Sequence, residues 1–238
     1  MKYDGEIIHS QRDEYGLIEV VENQVTRKLY FDSPVEQSCF FINAPMTLNF
    51  EYQEKIIDCI QRHASKQPKH STLRVLMLGV GGGSMAHHLF HNYPNLQMTV
   101  VELRQAVIDC AYDYFQLPDE PEVEVLQEDA MTFVAQHQHS FDVIIVDIFD
   151  AQGLPSAMSD DQFQEHLWRL TANQGLLIFN LWYQWETTPS KTPPKPTEET
   201  HKINHYWQTF LNQYSQSQFN RYNIQSSQNL VLEILKSV

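Results

Sequence analysis

No stretch of this 238-residue sequence approaches the roughly 20 consecutive apolar residues that a membrane-spanning helix needs. The opening residues, MKYDGEIIHSQRDE, have no apolar core of the kind a secretory signal peptide carries, so no export is expected. Cysteine is scarce as well. Cys39, Cys59 and Cys110 are widely spaced, form no CxxC pair and leave an odd number, which argues against a disulfide framework. Basic residues are few: 16 Lys plus Arg stand against 30 Asp plus Glu, a formal charge of −14. A field of that sign repels nucleic-acid phosphates and anionic lipid, and it attracts cationic ligands. Acidity for solubility alone is the plain alternative. The expectation is a cytoplasmic protein with neither a nucleic-acid nor a membrane partner.

What is present is ordered. Residues 6–42 hold short extended segments, GLIEVVEN, TRKLYFDS and VEQSCFFIN, punctuated by Asn, Asp, Ser and Gly as antiparallel turns require. FEYQEKIIDCIQRH then changes to a helical period, with Tyr52, Ile56, Ile57 and Ile60 on one face. SKQPKHST is a polar break. After it, strand and helix alternate: LRVLMLG, LQMTVVE, VEVLQ, FDVIIVD and QGLLIFNLW are apolar strands, with helical patterns between them. Continuous apolar strands separated by helices mean a mostly parallel sheet covered on both faces. The proline-rich TTPSKTPPKPTEET reads as a linker, HKINHYWQTFLNQY as a helix, and SQFNRYNIQ with NLVLEILK as a strand pair. The order predicts a class I methyltransferase-like (Rossmann-like) α/β fold. The expected division is a small N-terminal β section, 1–48, and a nucleoside-binding catalytic domain, 49–238.

Glycine is scarce too, eight in all, yet Gly79, Gly81, Gly82 and Gly83 fall within five positions. They close the first parallel strand, where open sheets bind ligands, and a helix N-terminus follows near Ser84. The spacing is not GxGxxG, and no Gly-Lys-Ser/Thr follows, so a phosphate loop is disfavoured. Glu102 ends the second strand, placed to accept the ribose hydroxyls of a nucleoside. Glu128 and Asp129 follow the third strand, where an acid can accept a hydrogen bond from an adenine amino group. Asp129 alone could instead cap the next helix. Taken together, the loop and these acids predict an adenosine site.

FDVIIVDIFDAQGLP adds Asp147 at the end of the fourth strand and Asp150 three residues on. Facing the same crevice, one acid could orient an ammonium while the other takes a proton from an attacking nitrogen. A loop acid with an Asx turn is the plain reading. With these motifs in place, the chain resembles the spermidine/spermine synthases and their bacterial spermidine synthase-like relatives over most of residues 15–182. EYQEKI, LGVGGGS, VVEL, QEDA and DIFDAQGLP match that family's ordered motifs. The resemblance implies aminopropyl transfer from decarboxylated S-adenosylmethionine to a small cationic amine, with no metal, and the assembly to look for is a homodimer. It implies that Asp147 activates the acceptor nitrogen, that Asp150 and Tyr52 hold the polyamine, and that Gln53 lies near the nucleoside.

Two departures from the family pattern widen the expectation. Gly82 stands where the family's loop has an Asp, a residue that would hold the aminopropyl ammonium and repel the carboxylate of intact S-adenosylmethionine. NLWYQWETTPSKTPPKP lacks the Tyr/Pro/Thr pattern of the family's polyamine pocket. A methyl- or alkyltransferase using intact S-adenosylmethionine, and a non-catalytic nucleoside or polyamine binder, are therefore the alternatives. His87, His88 and His91 share a helix without an HExxH acid and are read as a solvated face. Trp182, Tyr183 and Trp185 either wall the acceptor site or pack at a strand end.

Overall fold

The computed structural model describes residues 3–68, 70–149, 160–182, 212–214 and 216–237. Two sheets organise them. Strands β1 (Glu6–Asp13), β2 (Gly16–Glu22), β3 (Thr26–Phe31) and β4 (Glu36–Phe41) form an antiparallel sheet in sequence order. Helix α1 (Glu51–Ala64) leads from it to the larger sheet.

That sheet contains β5 (Leu73–Leu78), β6 (Leu96–Glu102), β7 (Val123–Gln127), β8 (Phe141–Val146), β9 (Thr171–Trp182), β10 (Gln218–Asn223) and β11 (Asn229–Leu235). Its order is β10-β11-β9-β8-β5-β6-β7. The five strands from β5 to β9 are mutually parallel, whereas β11 runs antiparallel to β9 and β10 antiparallel to β11. The intervening helices are α2 (Ser84–Asn92), α3 (Gln105–Phe115), α4 (Ala130–Gln136) and α5 (Asp161–Leu170). The chain builds outward from β5 in both directions, so the crevice between β5 and β8 is a topological switch point.

The two faces of the large sheet follow from strand alternation. Val75 and Met77 of β5 and Val143 and Ile145 of β8 join a core with Ile56, Ile57 and Ile60 of α1, Leu89 of α2 and Val107 of α3. Leu76, Leu78, Ile144 and Val146 face the opposite core, closed by Phe133 of α4 and Leu167 of α5. Ile18, Val20, Leu29 and Phe40 of the small sheet belong to the first core, so both sheets share one apolar interior. Full burial of such a side chain is worth about 1.5–3 kcal/mol, which seats the small sheet firmly over α3.

Some expectations need adjustment. Strand β1 is largely exposed, with Ile7 half exposed, and its EIIHSQRD sequence lacks the alternation of a half-buried strand. It is held by main-chain pairing to β2 at the sheet edge. The expected solvated face of histidines on α2 is corrected: His87 is buried and shares a hydrogen bond between Nδ1 and the Gln116 carbonyl, while His88 Nδ1 meets the Met46 carbonyl. The turn after α3 covers that side of α2. His91 is exposed. The proline-rich segment, most of the expected C-terminal helix, Tyr183 and Trp185 lie outside the described residues. Among the described residues, no helix is long and apolar enough to cross a membrane.

Candidate active site

The alternation that builds the core also delivers the site. Continuing each inward-facing series by two residues leads from Met77 to Gly79, from Val100 to Glu102, from Ile145 to Asp147 and from Ile178 to Asn180. Four neighbouring strands thus bring a glycine, two carboxylates and an amide to the face that α1 covers. A cleft of about 470 Å³ opens over them, and its walls include Tyr52, Gln53, Gly79, Gly81, Glu102, Asp129 and Asp147.

Gly79 is fixed between two strands. Its N–H donates to the Val101 carbonyl at 2.8 Å, and the Asp147 N–H donates to the Leu78 carbonyl at 2.9 Å. Its φ is +88°, and a Cβ there would lie 2.2 Å from the Asp147 carbonyl oxygen. Only glycine satisfies both conditions. Gly82 and Gly83 do not line the cleft. The Gly82 N–H donates to Ser38 Oγ at 2.7 Å, and a Cβ at Gly82 would meet Ser38 Cβ at 2.8 Å and Phe115 at 3.0 Å. Gly83 caps α2 against Leu117. These two glycines seat the loop on β4 and α3, while Gly79 and Gly81 face the cleft.

Glu102 accepts from the Val80 N–H at 3.1 Å through one oxygen and from the Arg104 N–H at 3.0 Å through the other. Burial raises its carboxyl above the ordinary glutamate range, although these backbone donors oppose the shift. Each oxygen retains a second lone pair, which suits a vicinal diol. Arg104 turns away to a bidentate pair with Asp13 at 2.9 and 3.0 Å, its guanidinium 4.8 Å from the Phe31 ring centroid. That pair ties the β1–β2 hairpin to the rim of the cleft. Asp129 caps α4, accepting from the Thr132 N–H and hydroxyl through Oδ1, and also forms part of the cleft wall. Glu128 faces an adjoining groove with Asp13 and Asp109 instead.

Asp147 sits at the cleft floor. Burial pushes its carboxyl up to about 6, against the lowering effects of Asn180 and Tyr52. Asn180 Nδ2 donates to Oδ1 at 2.7 Å, and the Tyr52 hydroxyl lies 3.5 Å from Oδ2. Burial raises the Tyr52 phenol well above its usual range, with the adjacent carboxylate adding to the shift, so it stays a donor. Gln53 Nε2 reaches the Tyr52 hydroxyl at 3.5 Å, but its Oε1 has no partner among the described residues, nor does Ser84 Oγ. Both residues border the cleft, and two orphaned buried polar atoms beside a glycine cradle fit a polar ligand. Asp150 lies outside the described residues. Asn180, Arg104 and Ser38 were not singled out from sequence. Asn180 had a signal: it is the polar residue ending the apolar series Leu176, Ile178 on the fifth strand, in step with Asp147 on the fourth.

A seven-stranded sheet of this order, with a glycine turn and strand-end acids at its switch point, defines a methyltransferase-like α/β protein with a nucleoside-sized cleft. The spermine/spermidine synthase domain matches residues 49–192, and the chain belongs to that family. It is 28% identical over 166 residues to a polyamine aminopropyltransferase of Chromobacterium violaceum, covering 69% of this chain and 61% of that protein. The chain spans about three fifths of the length of the curated relatives it matches. In fold it is similar to a probable spermidine synthase from Corynebacterium glutamicum, with TM-score 0.79 and 22% identity over 97% of this chain and 80% of that one. It is also similar to human methyltransferase-like protein 13 in complex with SAH, with TM-score 0.65 and 16% identity over 79% and 82% of the two chains.

Proposed function

We propose that the protein transfers an aminopropyl group from decarboxylated S-adenosylmethionine to a small cationic amine. The observation that carries this reading is Asp147: a part-buried carboxylate, raised to about 6, in the same cleft as the nucleoside acid Glu102. The donor's ribose hydroxyls pair with Glu102, Gly79 and Gly81 let the nucleoside approach the main chain, and Gln53 and Ser84 take its remaining polar groups. The acceptor enters beside Tyr52 and Asp147, with Asp150 as the second acid of the acceptor site.

An ammonium has no lone pair, so the acceptor must lose a proton before it attacks. Asp147 orients the amine and accepts that proton. The nitrogen lone pair then forms a bond to the methylene carbon beside the sulfonium, the carbon–sulfur bond breaks, and its electron pair stays on sulfur. Methylthioadenosine leaves as a neutral thioether, the product keeps its new secondary ammonium, and Asp147 releases the accepted proton to solvent. Fixed orientation of the two reactants supplies much of the acceleration, and proton acceptance contributes about 10²- to 10⁴-fold. The negative field of the chain raises the local concentration of a polycation.

A second reading rests on Gly82, which lies behind the cleft but whose Cβ position faces Ser38, itself part of the cleft wall. No carboxylate projects from that position, so nothing there repels the carboxylate of intact S-adenosylmethionine. Calorimetry with decarboxylated S-adenosylmethionine, intact S-adenosylmethionine and methylthioadenosine separates the readings. Tight binding of the decarboxylated donor with transfer to putrescine or spermidine supports aminopropyl transfer. Preference for the intact donor overturns it.

A further inference from the structure

The search for a site beyond Glu102, Asp147 and the glycine loop leads behind Asp147 rather than away from it. Asn180 is 1% exposed and lies on β9, on the face shared by Leu176 and Ile178. Its Nδ2 donates to Asp147 Oδ1 at 2.7 Å, and its Oδ1 accepts from Asn229 Nδ2 at 2.9 Å. The Asn229 Oδ1 in turn accepts from the Ser227 hydroxyl at 2.6 Å, and Ser227 Oγ accepts from the Asn229 N–H at 3.3 Å.

The direction of this chain is set at the Asp147 end. An ionised carboxylate only accepts, so Asn180 turns its NH₂ group to Asp147 and its carbonyl to Asn229. Asn229 gives its NH₂ group to that carbonyl, and its own Oδ1 accepts from the Ser227 hydroxyl. Each amide could otherwise turn over at little steric cost. With the Asn180 carbonyl engaged by Asn229, the group that meets the carboxylate is a donor.

We propose that Asn180, its carbonyl engaged by Asn229, is a positioning residue that fixes the Asp147 carboxylate toward the acceptor and favours its ionised form. This rests on the aminopropyl-transfer reading for its kinetic consequence, though not for its effect on Asp147 itself. A donor 2.7 Å from a carboxylate oxygen stabilises the anion, and Asn180 does so where burial favours the neutral acid. Among the described residues, the groups packed against Asp147 leave little else for that task. From α1 comes the Tyr52 phenol, from β9 the neutral Asn180, and from the turn after β5 only main chain. The other carboxylates of the cleft, Glu102 and Asp129, line it from β6 and the start of α4. Among the described residues no cation pairs with Asp147.

The test uses Asn180→Ala and Asn229→Leu, which is of similar size. In the second variant the Asn180 carbonyl loses its donor, its amide is no longer held toward Asp147, and no charge is added beside the carboxylate. Both variants should move the acid limb of the turnover–pH profile upward by about one unit or more. Turnover at pH 6 should fall about fivefold or more and recover toward wild type at pH 9, with methylthioadenosine affinity within about twofold of wild type. A loss equal at every pH, or no shift in either folded variant, overturns the proposal. Carbon-13 titration of the Asp147 carboxyl is read alongside, without substrates. If the wild-type protein transfers no aminopropyl group, the functional reading fails, and the titration alone decides the role of Asn180: an upward shift in both variants sustains it, an unchanged Asp147 ends it.

Discussion

The α-carbon of Gly79 faces the carbonyl oxygen of Asp147 so closely that a Cβ would approach it to 2.2 Å. The glycine loop and the proposed catalytic acid are therefore one packed unit, joined through β5 and β8. Gly79→Ala has to move the end of β8 or the loop, and its φ of +88° is itself unfavourable for alanine. We expect a loss of at least about 2 kcal/mol in denaturant unfolding. Any folded fraction should lose methylthioadenosine binding and turnover together. Wild-type stability would show that the two strands are not in this contact.

The second prediction concerns Glu102. Both of its oxygens already accept main-chain N–H groups, from Val80 and Arg104. Glu102→Gln keeps the size, but its NH₂ group must face one of those donors. The variant loses charge-assisted bonds to the ribose hydroxyls and also loosens the turn at Val80. Bonds of that kind are worth about 1.5–3 kcal/mol, so methylthioadenosine affinity should fall tenfold or more. Isothermal titration of the folded variant measures it, and unchanged affinity places the nucleoside elsewhere.

These two residues also mark how far the sequence could be read. Gly79, Glu102 and Asp147 are legible because each ends an apolar strand, and parallel sheets bind ligands at strand ends. The layered fold was legible from the same runs, and so was the strand pair 218–223 and 229–235. Strand β1 was not singled out, because an exposed edge strand carries no burial period. Gly82 and Gly83 looked equivalent to Gly79 and Gly81 because sequence records that side chains are excluded, not what excludes them. At Gly82 the neighbour is Ser38, 44 positions away in the chain. Asn180 was overlooked since a single amide at a strand end has no motif of its own. Its meaning appears only when β8 and β9 are aligned.

The third prediction follows from that contact between Gly82 and Ser38. Gly82→Asp by itself drives a Cβ to within 2.8 Å of Ser38 Cβ, and the loop should give way. Combining Gly82→Asp with Ser38→Gly removes that clash, although Phe115 still has to shift slightly. If the absence of charge widens donor choice, the double variant should bind intact S-adenosylmethionine about tenfold more weakly or worse, through repulsion of its carboxylate. Decarboxylated donor should bind equally or better. Parallel losses for both donors, with Ser38→Gly alone behaving as wild type, would remove Gly82 from the account of donor choice.

The last prediction separates chemistry, binding and stability at Asp147. Its carboxyl is raised from the ordinary aspartate value of 3.8 to about 6. Between those values the folded protein binds more protons than the unfolded chain, so this residue's contribution to stability falls as pH rises through that window. Asp147→Asn abolishes the effect. Near pH 4 the variant should match wild type, and by pH 7 it should gain roughly 2–3 kcal/mol relative to it in denaturant unfolding. Turnover should move the other way. Wild-type activity should rise with pH through about 6 as the carboxylate ionises, whereas the variant should lose at least about a hundredfold because it cannot accept the proton. Donor affinity should change little, since a group acting mainly in the transition state leaves ground-state binding alone. Relative stabilisation combined with lost turnover is what a part-buried base kept for function requires. A variant that turns over like wild type ends the proposed mechanism. One that loses turnover and is also less stable at pH 7 shows that Asp147 is a structural acid rather than a strained one.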